Sequence, residues 1–300
     1  MDVQACSQHR RAALLVSGAG VAALLLGLGY KYLRKPEKVV RVGVVSQLLI
    51  HPIKSGKAVS VAAAQCQKKG LKFGELEDRH WLVITDEGQM VTGRQEPRLV
   101  LVSLTCEDGQ VCLNGPDMEE LRFPFKESDK LVMDCRVFGA DIQGRDCGDE
   151  ASRWLTRYFG AEKTFRLVHF ETQMRPRKSA DMEALFSQNE RVAYADVGPV
   201  MLLSESSVKD LSSRLDEDVT VERFRPNIVI SDCDAFEEDS WDELQIGSVR
   251  LQRVMSCGRY RLCNPSEKHI YKSAPLFGQL HTVKKTGVLQ VGDVVYKISR

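Results

Sequence analysis

The chain has 300 residues and a formal net charge of +1, with 42 Lys+Arg against 41 Asp+Glu, so it lacks the basic excess that broad nucleic-acid binding needs. Its 43% apolar and 28% charged fractions are those of a globular protein, long enough for one large domain or two ordinary ones. Nine cysteines without repeated spacing speak against a disulfide framework, and isolated histidines speak against a histidine-built zinc site.

Residues 12–30 carry no charge and are rich in Leu, Ala, Val and Gly, a run long enough at helical rise to cross a bilayer core. Arg10 and Arg11 precede it; Lys31, Arg34, Lys35, Lys38 and Arg41 follow, so the positive-inside rule leaves the body of the protein in the cytosol. A cleaved signal peptide is the rival reading. The apolar run is long for a signal core, no small-x-small cleavage site precedes the basic cluster, and unpaired cysteines do not suit secretion. Gly18-Ala19-Gly20 lies inside the same run with no strand before it, so it is not a dinucleotide fingerprint.

From Arg41 the pattern is one of short strands. Residues 42–50 are apolar and end at His51-Pro52, where proline stops regular pairing. The loop 53–57 follows, in which Lys54 and Ser55 beside Gly56 suit an anion as well as they suit an ordinary polar loop. Residues 59–66 form the next strand. Residues 78–85 alternate into the turn Asp86-Glu87-Gly88-Gln89. Arg79, at the start of that strand, is either solvated or a clamp on a ligand. Residues 99–106, 111–113 and 131–142 continue the series, which points to a barrel or sandwich. Asp149 is read as the N-cap of a helix through Phe159 that Gly160 closes, and residues 165–169 as one more strand. The polar stretch 171–190 holds Arg175-Pro176-Arg177-Lys178, a solvated linker or a basic lip, and the domain boundary is placed there.

Beyond it, residues 192–197 and 200–203 are apolar. Ser204 is read as the N-cap of a helix with Val208, Leu211 and Leu215 on one face. The unit Arg225-Pro226-Asn227 feeds a buried strand. Its guanidinium fork matches phosphate, and its amide offers both a donor and an acceptor to a heterocycle edge. The strand 248–254 leads into Cys257 and Cys263, separated by more residues than the tight zinc hook allows. Residues 265–277 read as partly helical and 287–298 as a strand pair.

Phe224-Arg225-Pro226-Asn227, Asp239-Ser240-Trp241-Asp242-Glu243-Leu244, Leu276-Phe277-Gly278 and Val291-Gly292-Asp293-Val294-Val295-Tyr296 resemble the C-terminal domain of the MOSC family. His51-Pro52-Ile53-Lys54-Ser55 and Asp78-Arg79-His80-Trp81-Leu82-Val83 resemble its N-terminal partner. With the apolar segment in front, the chain resembles the amidoxime-reducing members of that family over nearly its whole length. The resemblance implies a mainly β (α+β) fold: a transmembrane segment over 1–40, a first β-barrel domain over 41–175 and a second over 176–300.

It also implies a molybdenum–molybdopterin cofactor and reduction of N-hydroxylated compounds such as amidoximes and hydroxylamines. Electrons would come from NADH through cytochrome b5 reductase and cytochrome b5. The location implied is the outer mitochondrial membrane with the body facing the cytosol, with the peroxisome as a second site. Carried over residue by residue, Lys54 and Ser55 match the phosphate side of the cofactor. Arg79, Arg225, Asn227 and Arg259 match its other contacts, and Val197 and Gly198 offer backbone only. Cys257 matches the first cysteine of the family's Cys-x-x-Cys pair. The position of the molybdenum ligand, the second, holds Tyr260, and Cys263 belongs to the segment that follows a loop this chain lacks. A thiolate suits molybdenum, so Cys257 and Cys263 are the substitutes to consider. The alternative is a catalytically impaired cofactor-binding or interaction protein.

Overall fold

The structure, a computed structural model, describes residues 37–126, 129–160, 162–258 and 276–299. Val40–Ile298 forms one compact unit. Its first half runs β1 (Lys38–Ile50), β2 (Val59–Val61), β3 (Ala63–Gln67), β4 (Gly70–Phe73), β5 (Leu76–Glu77), β6 (Trp81–Thr85), β7 (Ser103–Glu107), β8 (Gln110–Asn114), β9 (Leu121–Pro124), β10 (Val132–Val137), β11 (Ala140–Asp146), α1 (Asp149–Phe159) and β12 (Phe165–His169). The second runs β13 (Arg177–Lys178), β14 (Arg191–Val192), β15 (Val200–Ser204), α2 (Glu205–Ser212), β16 (Ile228–Ser231), β17 (Glu243–Ile246), β18 (Val249–Gly258), β19 (Leu276–Lys285), β20 (Gly287–Gln290) and β21 (Val294–Ser299).

The expected α+β class holds, but the two expected barrels do not. One eight-stranded sheet, in the order β16-β15-β19-β18-β17-β21-β1-β2, closes on itself through a further β16–β1 pairing. The remaining strands form smaller open sheets: β10-β11-β12-β6, β20-β3-β4-β5, β7-β8-β9 and the β13-β14 pair. The physical reason is the length of β1. Its 13 residues are long enough to pair with β16 over Val44–Leu48 and with β2 over Leu48–Ile50, so it seals the sheet built by the second half. β15 and β16 run parallel, which demands a crossover, and α2 supplies it.

The core is continuous across these sheets. Val45, Leu48 and Ile50 of β1 pack in one apolar cluster with Trp81, Leu104, Trp154, Leu202, Ile228, Trp241, Leu251 and Val295. α2 begins as the sequence predicts: the Ser204 hydroxyl accepts from the Ser207 N–H at 3.1 Å. It stops at Ser212, so Leu215 lies beyond the helix and is exposed. The N-cap of α1 is Gly148, at φ 92°, and Asp149 is instead the first helical residue, where its charge suits the helix dipole.

The membrane-spanning helix expected over residues 12–30 lies outside the described residues. Among the described residues no helix is long and apolar enough to cross a membrane, and the longer of the two α-helices named, α1, has 11 residues. The expectation of a membrane-anchored protein is corrected accordingly. The outer-membrane placement that rested on that helix is corrected with it, and nothing among the described residues bears on cytochrome b5 or its reductase as partners. The expected helical stretch 265–277 also falls largely outside; Leu276 and Phe277 open β19.

Candidate functional site

The polar residues singled out in the sequence converge where β1 ends, β6 begins and β16 begins. Asp78 is the hub. Its side chain is 1% exposed, and its carboxylate accepts from the His51 N–H at 2.8 Å, Asn227 Nδ2 at 2.9 Å and Arg79 Nη1 at 2.5 Å. Arg79 also donates to Asn227 Oδ1 at 3.3 Å and, through Nη2, to the Arg225 carbonyl at 3.0 Å. Arg225 Nη1 donates to the Gly56 carbonyl at 2.6 Å. Asn227 is buried; its amide donates to the Leu49 carbonyl at 3.2 Å and its oxygen accepts from the Met201 N–H at 3.1 Å. The structure thus brings Arg79, Arg225 and Asn227 together, and Asp78 bonds to Arg79 and Asn227.

Lys54 is buried beside them. Its ammonium donates to the Tyr194 carbonyl at 2.9 Å and to the carboxylate of Asp196, and lies over the Phe138 ring, 4.7 Å from its centroid. Burial lowers the Lys54 pKa from its ordinary value, and the charge of Asp196 opposes that fall. The Asp196 side chain is 72% exposed. Desolvation raises its pKa, but Lys54, Arg79 and Arg225 outweigh that and bring it to about 2. Asp196 is thus an exposed carboxylate under the influence of neighbouring cations. Val197 and Gly198 follow it directly and are half-buried.

Ser55 is half-buried, at φ 68°. Arg79 and Arg225 share that left-handed backbone, at 52° and 57°. Residues with a side chain adopt this region at a cost, and the surrounding structure must hold them there. His51 is buried and bonded to this network through Asp78. Burial and the charges of Arg79 and Arg225 push its pKa well below 6.5, so the ring is neutral. Its Nε2–H donates to the Pro226 carbonyl at 2.9 Å, which leaves Nδ1 as a buried acceptor without a hydrogen-bond partner among the described residues. Arg177 is neither a solvated linker residue nor an open lip. It is buried and donates to the Ala193 and Ala195 carbonyls, the backbone that carries Asp196. Burial lowers its pKa to about 10.

The cations, the amide and the unpartnered ring nitrogen suit the phosphate and heteroatoms of a pterin cofactor. The metal side does not fit in the same way. Cys257 sits on β18, half-buried against the apolar cluster of Leu49, Met201, Phe224 and Phe277. Among the described residues no group of three or more His, Cys, Asp or Glu could hold a metal ion. Arg259 and Cys263 lie outside the described residues.

The MOSC N-terminal beta barrel domain matches residues 42–162, and the MOSC domain matches residues 189–296. The chain belongs to the MOSC family. It is 55% identical over 316 residues to mitochondrial amidoxime-reducing component 1 of Danio rerio, covering 97% of this chain and 96% of that protein. It is 50% identical over 287 residues to mitochondrial amidoxime reducing component 2 of Bos taurus, covering 87% and 85%. With component 1 of Xenopus laevis the identity is 47%, covering 98% and 94%. This places the chain in an oxidoreductase branch of the MOSC family, whose members generally use a molybdenum cofactor. The alignment of 316 residues is longer than the chain's 300, so the Danio rerio protein carries residues that have no counterpart here. The expectation of a membrane-anchored molybdenum reductase is corrected by the lack, among the described residues, of both a spanning helix and a metal-holding cluster.

Asp78 and His51 lie in motifs that the sequence singles out without assigning them a role, Arg177 lies in a stretch read as linker or lip, and Asp196 carries no motif. Their roles depend on partners such as Asn227, which is 149 residues from Asp78, and Lys54, which is 142 from Asp196.

Proposed function

We propose that this MOSC-family protein binds the phosphate-bearing pterin of a molybdenum cofactor, or a small molecule of that chemistry, and is impaired in the reductase reaction of its relatives. The carrying observation is the Asp78-centred network, which holds Arg79, Arg225 and Asn227 beside Lys54 in a largely buried setting. Lys54 and Ser55 would hold the phosphate, Arg79, Arg225 and Asn227 the ring system, and the backbone at Val197 and Gly198 its rim. The cofactor, when bound, supplies the redox chemistry. The chain's own residues supply fixed donors that need no reorganisation, which is how a site gains affinity at low entropic cost.

Impairment is supported by the sequence around Cys257. Tyr260 stands where a family member has its thiolate ligand, and the relatives carry residues that this chain lacks. The names of those relatives give the substrate class to test. The full chain, supplied with molybdenum cofactor, is expected to retain pterin, measured by the fluorescence of its oxidised form. It is expected to reduce benzamidoxime little or not at all with a reduced viologen dye as donor. Arg79→Ala and Asn227→Ala remove bonds to a charged partner and lower retained pterin by about tenfold or more. A chain that retains no pterin rejects the binding reading. Turnover equal to that of a relative rejects the impairment.

A further inference from the structure

Two carboxylates meet the cations of this site, and they are held in opposite ways. Asp78 is built into the core, with a side chain 1% exposed and three donors on its oxygens. Asp196 projects from the irregular stretch between β14 and β15, with a side chain 72% exposed. Among the described residues its one hydrogen-bond donor is the Lys54 ammonium. Lys54 itself is 4% exposed in its side chain, and it has a second acceptor that cannot leave, the backbone carbonyl of the buried Tyr194 at 2.9 Å. The Phe138 ring centroid lies 4.7 Å from the ammonium. Of the groups that meet Nζ, Asp196 is the one that reaches solvent.

A buried ammonium without a counter-charge is costly. The protein without ligand therefore needs an anion at Lys54, and a ligand anion needs the same place. We propose that Asp196 is the internal anion of this site: it neutralises Lys54 in the ligand-free protein and gives up that ammonium to the phosphate of an incoming ligand. The inference rests on the reading of the cluster as an anion-binding site, and adds the group that a ligand must displace. The exchange is favourable on chemical grounds. A phosphate brings more charge and three acceptor oxygens where the carboxylate brings one charge and two. The charges of Arg79 and Arg225 also act on Asp196, so an anion of higher charge in the same place would be attracted more strongly. The Tyr194 carbonyl keeps Nζ in position throughout, so no rearrangement of β6 or of the loop 53–57 is required.

The test uses the full chain and inorganic phosphate, titrated at constant ionic strength against sodium chloride, with thermal melts and direct binding as readouts. Asp196→Asn is expected to melt below the wild type without phosphate and to recover with it. Its affinity for phosphate is expected to be about tenfold or more above that of the wild type, because no internal competitor remains. Asp196→Glu keeps the charge and is expected to bind phosphate as weakly as the wild type. Asp78→Asn is expected to melt lower with no recovery in phosphate, since its carboxylate orders the network and does not compete. A variant Asp196→Asn that folds only in phosphate supports the inference, and one that fails to fold in either buffer overturns it. Equal or weaker phosphate binding by Asp196→Asn also overturns it. If the wild type retains pterin in that case, the binding reading stands and the role of Asp196 alone falls. If it retains none, both fall together.

Discussion

At the scale of single residues, the cost of the site is visible in its backbone. Ser55, Arg79 and Arg225 hold positive φ, a region that costs a residue with a β-carbon about 1–2 kcal/mol each. Hydrogen bonds offset this: Arg79 N–H donates to the His51 carbonyl at 2.7 Å, and Arg225 N–H to the Glu222 carbonyl at 3.1 Å. A second cost lies in buried histidines. His281 is fully buried; burial lowers its pKa from 6.5 to about 4, with the charge of Arg253 adding to the fall and the bond to the Gln279 carbonyl opposing it. Its proton affinity is therefore lower in the folded chain than in the unfolded one. Between those two values the unfolded state binds the extra proton, so the contribution to stability is complete above 6.5 and is lost as pH falls toward 4. His281→Gln is expected to remove about 2 kcal/mol of the stability difference between about pH 7 and about pH 5 in urea unfolding. An acid limb as steep as that of the wild type would show that other groups set it. The site residues with strong local chemistry, Lys54, Arg79, Arg225 and Asn227, were legible in the sequence because their motifs name them. Asp78 and Asp196 were not legible in role, because a carboxylate's role depends on which distant cation it meets.

At the scale of elements, local rules located most strands and both helices, and erred where a contact from elsewhere decides the geometry. The cap of α2 follows from Ser204 alone, but Glu238 completes it: its carboxylate accepts from the Ser204 N–H and hydroxyl, both at 3.0 Å. The turn after β6 shows the same division. Asp86-Glu87-Gly88-Gln89 reads as a turn from its residues, and Gly88 does hold φ +73°. The sequence does not show that β10 lies against it. A β-carbon at Gly88 would stand 2.4 Å from the Asp134 carbonyl oxygen, backbone that cannot turn away, and the Gly88 carbonyl accepts from the Arg136 N–H at 2.8 Å. Gly88→Ala is expected to cost about 2–4 kcal/mol, combining strain at positive φ with displacement of β10. Gly109, at φ +75° with no atom within 4 Å of such a β-carbon, is the control: Gly109→Ala carries only the conformational part, about 1 kcal/mol. Equal denaturation midpoints for the two variants would remove the packing part of the argument.

At the scale of the whole molecule, the sequence divides into two successive halves, and the family matches fall in the same order, over residues 42–162 and 189–296. The hydrogen bonding crosses that division. β1 stands between β21 and β2 in the closed sheet and pairs with β16 from Val44↔Ser231 to Leu48↔Ile228, while β20 of the second half pairs with β3 from Gly287↔Cys66 to Gln290↔Ala63. Strand periodicity shows which residues face a core; it does not show which strand lies alongside, and so the closure by β1 was hidden in the sequence. The consequence is physical dependence. Residues 176–300 alone would leave β16 and β21 with open edges, each a row of unpaired donors and acceptors. They would also lose Val45, Leu48 and Ile50 from the core, all fully buried in the intact chain. At about 1.5–3 kcal/mol for each side chain, that loss is of the order of a domain's entire stability, roughly 5–15 kcal/mol. Residues 176–300 are therefore expected to show neither a cooperative melt nor dispersed amide resonances, and residues 38–300 to show both. Supplying residues 38–175 as a separate chain is expected to restore the melt, because the missing strand arrives with its own packed partners. A cooperative melt of residues 176–300 by themselves would mean that β16 and β21 can seal the sheet without β1, and the site at the end of β1 would then be an addition to a barrel already complete.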